Sequence, residues 1–450
     1  MMLYADILKQ HQDAQTRIIA WDKHRTFSLA DFQQYVFSLY QLLQQYPQKK
    51  WAICFDNSFF FSAALFALIY SNKIPIIPGH TREALLAEQQ ADFDGILTDL
   101  SLNLTCAQIN TNDICLLNLA DAQKLATQYQ WPTDAQLILF TSGSTAKPEP
   151  IHKSLCALQA ESQLLASQWG EQLTQAVFIA SVSHQHLYGL TFRILLPLSL
   201  GRPFYAQMTQ FHENVLALAM QYPAQTVFIT SPAFLKRLDT QLHQAPLNMM
   251  FSAGGPLHFA EAQQAKAMFG VLPTEIYGSS ETGVIAHRKQ RCQNQVWSLF
   301  AGINISITKD HALLVQSALC EETCGAILKD KIQIEQNGFH IIGRTDRIIK
   351  LEEKRISLTE ITHRLLCLPQ IADVALCTLE HNNRTVLGAV IVLEAQTNRA
   401  STAHLIQQFT QALRPYVEPV AVPKRWRFVQ DIPVNTQGKR NFHDLQELFK

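Results

Sequence analysis

A chain of 450 residues is too long for one small core, so two domains are expected. Its 47% apolar and 16% charged content is that of an ordinary soluble globular protein, and 37 basic residues against 37 acidic ones leave no excess to mark nucleic acid as the main partner. Nine cysteines, odd in number and with no CxxC pair, make neither a disulfide framework nor a zinc site; they predict reduced, mostly buried thiols in a cytoplasmic protein.

The N-terminal stretch MMLYADILKQHQDAQ lacks the basic start and apolar run of a signal peptide. Short apolar runs follow, each ending in turn residues: WAICF from Trp51, IPIIP from Ile74, GILTDL from Gly95, AQLILFTSGS from Ala135, VFIASVS from Val177 and TVFIT from Thr226. Helical patterns such as TREALLAEQQA, from Thr81, lie between them, and the alternation predicts an α/β domain with largely parallel sheets. The apolar run from Phe59 to Tyr70 is far shorter than the roughly 20 residues a membrane span needs, so a buried helix followed by a buried strand is expected there. After GFHIIGRTDR the style changes. LTEITHRLLCLPQI is an amphipathic helix, ADVALCTLEHNNRTVLGAVIVLEA is two strands about an Asn-rich turn, and HLIQQFTQALRP is a second helix. A large N-terminal domain over residues 1–343 and a small α+β domain over 344–450 are expected.

The run LILF leads into TSGST, Thr141 to Thr145. Small residues let backbone N–H groups approach phosphate oxygens, and the hydroxyls add donors. The spacing is not that of the GxxxxGK[ST] loop, and alone the cluster reads equally as a surface turn. Three further segments follow in order: EIYGSSETG (Glu275 to Gly283), GRTDRIIKLEEKRISLTEI (from Gly343) and PVNTQGK (Pro433 to Lys439). Together the four resemble the motifs of the adenylate-forming, AMP-binding superfamily, which includes acyl-CoA synthetases, aryl-CoA ligases, peptide-synthetase adenylation domains and luciferases.

That resemblance implies layered sheets and helices in the large domain and a small mobile domain carrying a catalytic lysine. The chemistry it implies is ATP- and Mg²⁺-dependent conversion of a carboxylic acid to an acyl-adenylate with release of pyrophosphate. The acyl group then passes to coenzyme A or to the phosphopantetheine of an acyl carrier protein. Residue by residue, Thr141, Ser142, Gly143, Ser144 and Thr145 match the phosphate loop. Tyr277 matches the aromatic against adenine, with Gly278, Ser279 and Ser280 beside it; Glu281 matches the Mg²⁺-associated acid and Thr282 a phosphate-contacting hydroxyl. His186, Gly189, Gly254 and Gly255 match acyl-pocket positions. Asp330 and Arg344 match the ribose contacts, Asp346 the hinge and Lys439 the catalytic lysine. The short chain and the segment KLEEKRISL are similar to small bacterial synthetases of fatty-acid-like or aryl polyene pathways, which implies an aryl or fatty acyl substrate.

Three positions depart from the family pattern. Glu149 stands where the loop lysine belongs, with Lys147 or Lys153 as candidate replacements. Glu353 stands where a glycine meets the pantetheine thiol. Leu328 and Lys329 replace the Thr-Gly before Asp330. These departures leave open an acyl-AMP former that does not use coenzyme A, and a catalytically weakened or dead nucleotide-binding partner.

Overall fold

The computed structural model describes the chain except residues 142–148, 240–241, 243, 345–347, 352–353, 382–383, 395–400, 418, 435–439 and 441; a few neighbouring side chains, those of Thr141, Arg344, Lys350, Arg355 and Glu360 among them, also fall outside the description. The expected hinge Asp346, the expected catalytic Lys439, Glu353 and all of the phosphate loop after Thr141 therefore lie outside the described residues.

The apolar runs are strands, as the sequence predicts. Four of them join two further strands in one six-stranded sheet, in the spatial order Ala107–Asn110, Gly95–Thr98, Lys50–Cys54, Ile74–Ile77, Gln136–Thr141 and Glu149–Ser154. The first five are parallel and the edge strand Glu149–Ser154 runs antiparallel to its neighbour. A second sheet of nine strands has a parallel centre, Ile18–Trp21, Phe204–Tyr205, Val177–Ala180, Thr226–Thr230, Met249–Ser252 and Thr274–Ser279. Antiparallel strands close both of its edges. Strands such as Gly95–Thr98 and Thr226–Thr230 are buried at every position, which is why they read as unbroken apolar runs.

Helix starts follow local chemistry. Ser28 and Asp31 exchange side-chain bonds to each other's backbone N–H ahead of Leu29–Leu43, and Asn57 accepts from Phe59 N–H at 2.9 Å to begin Ser58–Tyr70. The latter helix is buried nearly all round and leads into the buried strand Ile74–Ile77. Among the described residues no helix is long and apolar enough to cross a membrane.

The chain divides into two compact units, residues 1–305 with 315–326, and residues 306–314 with 327–450. The second unit thus begins ahead of the 343/344 position expected from sequence style. The hairpin Asp330–Glu335/Gly338–Arg344 is a two-stranded sheet of its own and clusters with the residues after it. Within the second unit the antiparallel pair Ile371–His381/Arg384–Leu393 takes Arg425–Phe428 as a parallel neighbour. Helices Leu358–Leu366 and Thr402–Leu413 contribute Leu365, Phe409 and Leu413 to a core with Val374, Leu387 and Trp426. This is the expected α+β unit.

The cysteines correct an expectation. All nine are free, but only Cys54 and Cys377 are buried, and Cys115, Cys156, Cys292, Cys324 and Cys367 are exposed. One small sulfur adds too little apolar area to demand burial on a loop or a helix's polar face.

The hairpin Thr274–Ser279/Gly283–Arg288 is fixed at its base by Glu275, which is 3% exposed. Its carboxylate accepts from Arg288 Nε at 2.9 Å and Nη2 at 3.0 Å, and from Gln290 Nε2 at 2.7 Å. Glu275→Ala strands the guanidinium, and a loss of about 3–5 kcal/mol of stability is expected in denaturant unfolding.

Candidate active site

Three segments of the N-terminal unit leave the carboxyl ends of neighbouring parallel strands in the nine-stranded sheet. Register pairs Ala180 with Ile229, Thr230 with Ser252 and Ser252 with Glu275. The segments after those strands therefore emerge along one edge: residues 181–189, the turn at Gly254 and Gly255, and the end of Thr274–Ser279. Ligands of open α/β sheets bind at such carboxyl ends.

Tyr277 is half-buried on the strand itself, its ring 5.7 Å from that of Trp297 and tilted by 53°. Gly278 lies under the returning strand, where a Cβ would come 2.3 Å from the Gly283 carbonyl oxygen. Ser279 and Thr282 close the turn between the strands. The Thr282 hydroxyl lies 3.0 Å from Ser279 Oγ, donates to Gly283 O at 2.9 Å and accepts from Ser279 N–H at 3.2 Å. Thr282 is wholly buried, so here its hydroxyl serves the turn. Glu281, by contrast, is exposed, and its carboxylate has no hydrogen-bond or ion-pair partner among the described residues. A hard carboxylate donor on a rigid turn suits Mg²⁺, an ion that typically takes one or two carboxylates and fills its remaining positions with phosphate oxygens and water. No cluster of three or more ligating side chains occurs among the described residues.

Gly254 has φ +95° and, like Gly255, has open space where a Cβ would be, so backbone is presented to solvent at the sheet edge. Gly189 is different. A Cβ there would lie 2.0 Å from Ser183 O, so its smallness is spent on closing the 183–189 loop. His186 is half-buried, with its ring near Gly79. The neighbouring His184, missed by the sequence reading, is the one held in place. It is 3% exposed; its Nε2 lies 2.8 Å from Phe55 O and its Nδ1 3.0 Å from Ser58 Oγ. A carbonyl only accepts, so Nε2 carries the proton and Nδ1 accepts from the serine. Both side chains are closed to solvent, so the pair ties the six-stranded sheet to the 183–189 segment and does not act as an activated serine. Gln185 adds a second tie, Nε2 to Ile53 O at 2.9 Å.

The phosphate-loop segment is flanked by a hairpin. Thr141 pairs with Glu149 and Phe140 with Pro150, so the residue in the place of the family's lysine sits in a strand, exposed, opposite the loop's first residue. Lys153, a candidate substitute for that charge, is 1% exposed and committed elsewhere: its Nζ donates to Leu319 O at 2.7 Å and to Glu281 O at 3.2 Å. Glu161, from the helix Leu155–Trp169, accepts from Val284 N–H at 2.8 Å and from the Thr191 hydroxyl at 2.8 Å. Burial pushes its carboxyl above the usual range. A signal for it existed: Glu161 sits within the Leu158–Ser162–Leu165 stripe of its helix, where an apolar residue belongs.

In the second unit, Asp330 is half-buried and pairs in register with Arg344, so the two expected ribose residues are backbone partners in one hairpin. Arg440, next to Lys439, donates from Nη1 to Val374 O at 2.6 Å and from Nη2 to Asp373 at 2.6 Å, which anchors the chain at that point.

Known proteins resemble the chain in sequence and in fold. The 4-coumarate–CoA ligase of Halorhodospira halophila is 25% identical over 321 residues, 67% of this chain and 74% of its own. The D-alanine–D-alanyl carrier protein ligase of Staphylococcus epidermidis is 22% identical over 412 residues, 79% of this chain and 81% of its own. ATP-bound MatB from Rhodopseudomonas palustris superposes with a TM-score of 0.80 at 18% identity, covering 99% of this chain and 98% of that one, a likeness of fold. Fold and site thus define an adenylate-forming enzyme, a carboxylate–AMP ligase of the acyl-CoA synthetase type. The chain belongs to the AMP-binding enzyme family, whose model matches residues 8–312.

Two outcomes are expected here. Gly189→Ala forces backbone apart and lowers stability by about 3 kcal/mol, read as a shifted unfolding midpoint. For His184, burial first and the Arg193 charge second hold the ring's pKa well below its ordinary value. Its stabilising contribution is therefore full above the unfolded pKa of about 6.5 and is lost as pH falls below it towards the folded pKa. The fall in thermal midpoint between about pH 7 and about pH 5 should be shallower in His184→Asn than in the parent.

Proposed function

We propose that the protein activates an aryl or fatty acyl carboxylic acid with ATP and passes it to the thiol of coenzyme A or of an acyl carrier protein. One observation carries the reading: an exposed carboxylate, Glu281, without a partner among the described residues, in the tightly closed turn of the hairpin that carries Tyr277, next to the strand that leads to Gly254 and Gly255. In the first step a carboxylate oxygen of the acid attacks the α-phosphorus, the bond to the β-phosphate oxygen breaks, and pyrophosphate leaves. In the second the acceptor sulfur attacks the acyl carbon, AMP leaves, and the thiol proton passes to solvent. The first barrier is largely repulsion between a carboxylate and a triphosphate, and Mg²⁺ supplies charge neutralisation there when bound.

The family resemblance suggests each residue's part. Glu281 would hold the metal, and Tyr277 would lie against adenine, a flat base on an aromatic face. Gly254 and Gly255 would admit the acid close to the backbone. Asp330 and Arg344 would hold the ribose, Lys439 would stabilise the charge moving between carboxylate and α-phosphate, and Asp346 would be the hinge between the two half-reactions. The relatives include both a coenzyme A ligase and a carrier-protein ligase, which supports a thiol acceptor of either kind.

The test is pyrophosphate release with ATP, Mg²⁺ and a panel of aryl and fatty acids. Acid-dependent release is expected, with Lys439→Ala and Glu281→Gln each lowering it at least ~100-fold while the unfolding midpoint holds. ATP binding without release for every acid would overturn the ligase reading in favour of a nucleotide-binding partner.

A further inference from the structure

The turn that carries Glu281 is gripped from beneath by two buried charges of opposite sign. Lys153 is 1% exposed and Glu161 3%. The ammonium donates to the carbonyl of Glu281 itself, at 3.2 Å, and to that of Leu319, at 2.7 Å. The carboxylate accepts the N–H of Val284 at 2.8 Å, three residues further on. Between those grips Gly283 has φ +66°, and a Cβ on it would lie 2.7 Å from Glu161 Oε1. Only glycine lets the turn settle this far onto the carboxylate. Thr191 donates to the other carboxylate oxygen at 2.8 Å and fixes its orientation.

Ammonium and carboxylate are costly to bury, and an apolar pair of the same volume would stabilise the fold at least as well. What an apolar pair lacks is direction. A charged donor holds one carbonyl and a charged acceptor holds one N–H, so the peptide from 281 to 284 is fixed in height and rotation. The Glu281 side chain leaves from that peptide. Lys153 also belongs to the strand Glu149–Ser154 that returns from the phosphate-loop segment, so the same ammonium links that strand to the metal-binding turn.

We propose that Lys153 and Glu161 are positioning residues for adenylation, which aim the Glu281 carboxylate by holding the backbone on either side of its turn. The proposal rests on the assignment of Glu281 to Mg²⁺ made above. Outer groups that orient a metal ligand are worth ~10–100-fold in metal affinity or activity when removed.

Four proteins test it: the parent, Lys153→Met, Lys153→Arg and Glu161→Gln. Three quantities are read: the unfolding midpoint, the Mg²⁺ dependence of binding of a non-hydrolysable ATP analogue by calorimetry, and kcat and KM for acid-dependent pyrophosphate release. Lys153→Met is expected to weaken the Mg²⁺-dependent part of analogue binding by ~10–100-fold and to lower kcat by a similar factor. The KM for the acid should move less than about twofold, since neither Lys153 nor Glu161 is among the residues assigned to the acid. Lys153→Arg, which keeps a charged donor, should recover part of the loss, and Glu161→Gln should lie between. If Lys153→Met does not fold, the last two variants carry the comparison. Variants with lowered midpoints but parental Mg²⁺ dependence and kcat would reduce the pair to a structural role and overturn the proposal. A parent that binds the analogue with Mg²⁺ but releases no pyrophosphate would instead defeat the ligase reading, and the calorimetric comparison would still decide this one.

Discussion

The Lys153 ammonium is the contact on which the arrangement of the N-terminal unit turns. It leaves the edge strand of one sheet and ends on two carbonyls, one in the turn of the other sheet and one in the loop at Leu319. An ammonium has three donors, and inside a protein each unmatched one is costly, so the two carbonyls are held as firmly as the lysine is. The edge strand Glu149–Ser154 and the turn at Glu281 are thereby brought to a fixed separation. His184 and Gln185 make the complementary tie, from the 183–189 loop back to the end of Lys50–Cys54.

Rigidity is concentrated beneath the site, and the groups left available lie above it. Thr282 spends its hydroxyl on Ser279 and Gly283, and Gly278 and Gly283 give up their Cβ space to the returning strand and to Glu161. Glu281 is exposed on that turn, and its carboxylate has no partner among the described residues. Preorganisation of this kind lets an enzyme act on developing charge without rearranging itself first.

The elements legible in the sequence were those whose signal is local. Strands buried on both faces read as apolar runs, the amphipathic helices of the second unit showed their stripes, and the antiparallel strands Ile371–His381 and Arg384–Leu393 read as two runs separated by turn residues. The strand Glu149–Ser154 was not legible, because Glu-Pro reads as a turn. It is tolerated because this is an edge strand, where proline removes no needed ladder bond. Among site residues, Tyr277 and Glu281 were legible because their motif is contiguous. The supporting pair was not: Lys153 and Glu281 are 128 residues apart, and nothing local links a lysine in a polar strand to a carbonyl so distant. His184 was passed over for His186 because only the latter has the His-x-x-Gly spacing to Gly189, while the contacts that hold His184 come from residues more than 120 positions away.

The segment Leu190–Leu195 is wound as a π-helix between the short helices Leu187–Gly189 and Leu196–Leu200. From it Thr191 reaches Glu161, while the fully buried Arg193 reaches Val182 O at 3.1 Å and Ala206 O at 3.0 Å, its pKa pulled down by burial to about 9. A π stretch holds one residue more than the α-helix it interrupts. Deleting that residue would restore regular winding and move the residues inside the stretch to new angles about the axis, about 100° apart per residue. Either Thr191 would leave the carboxylate or Arg193 would leave its carbonyls, so the length of this helix is fixed from within, as a count that can neither shrink nor grow by one.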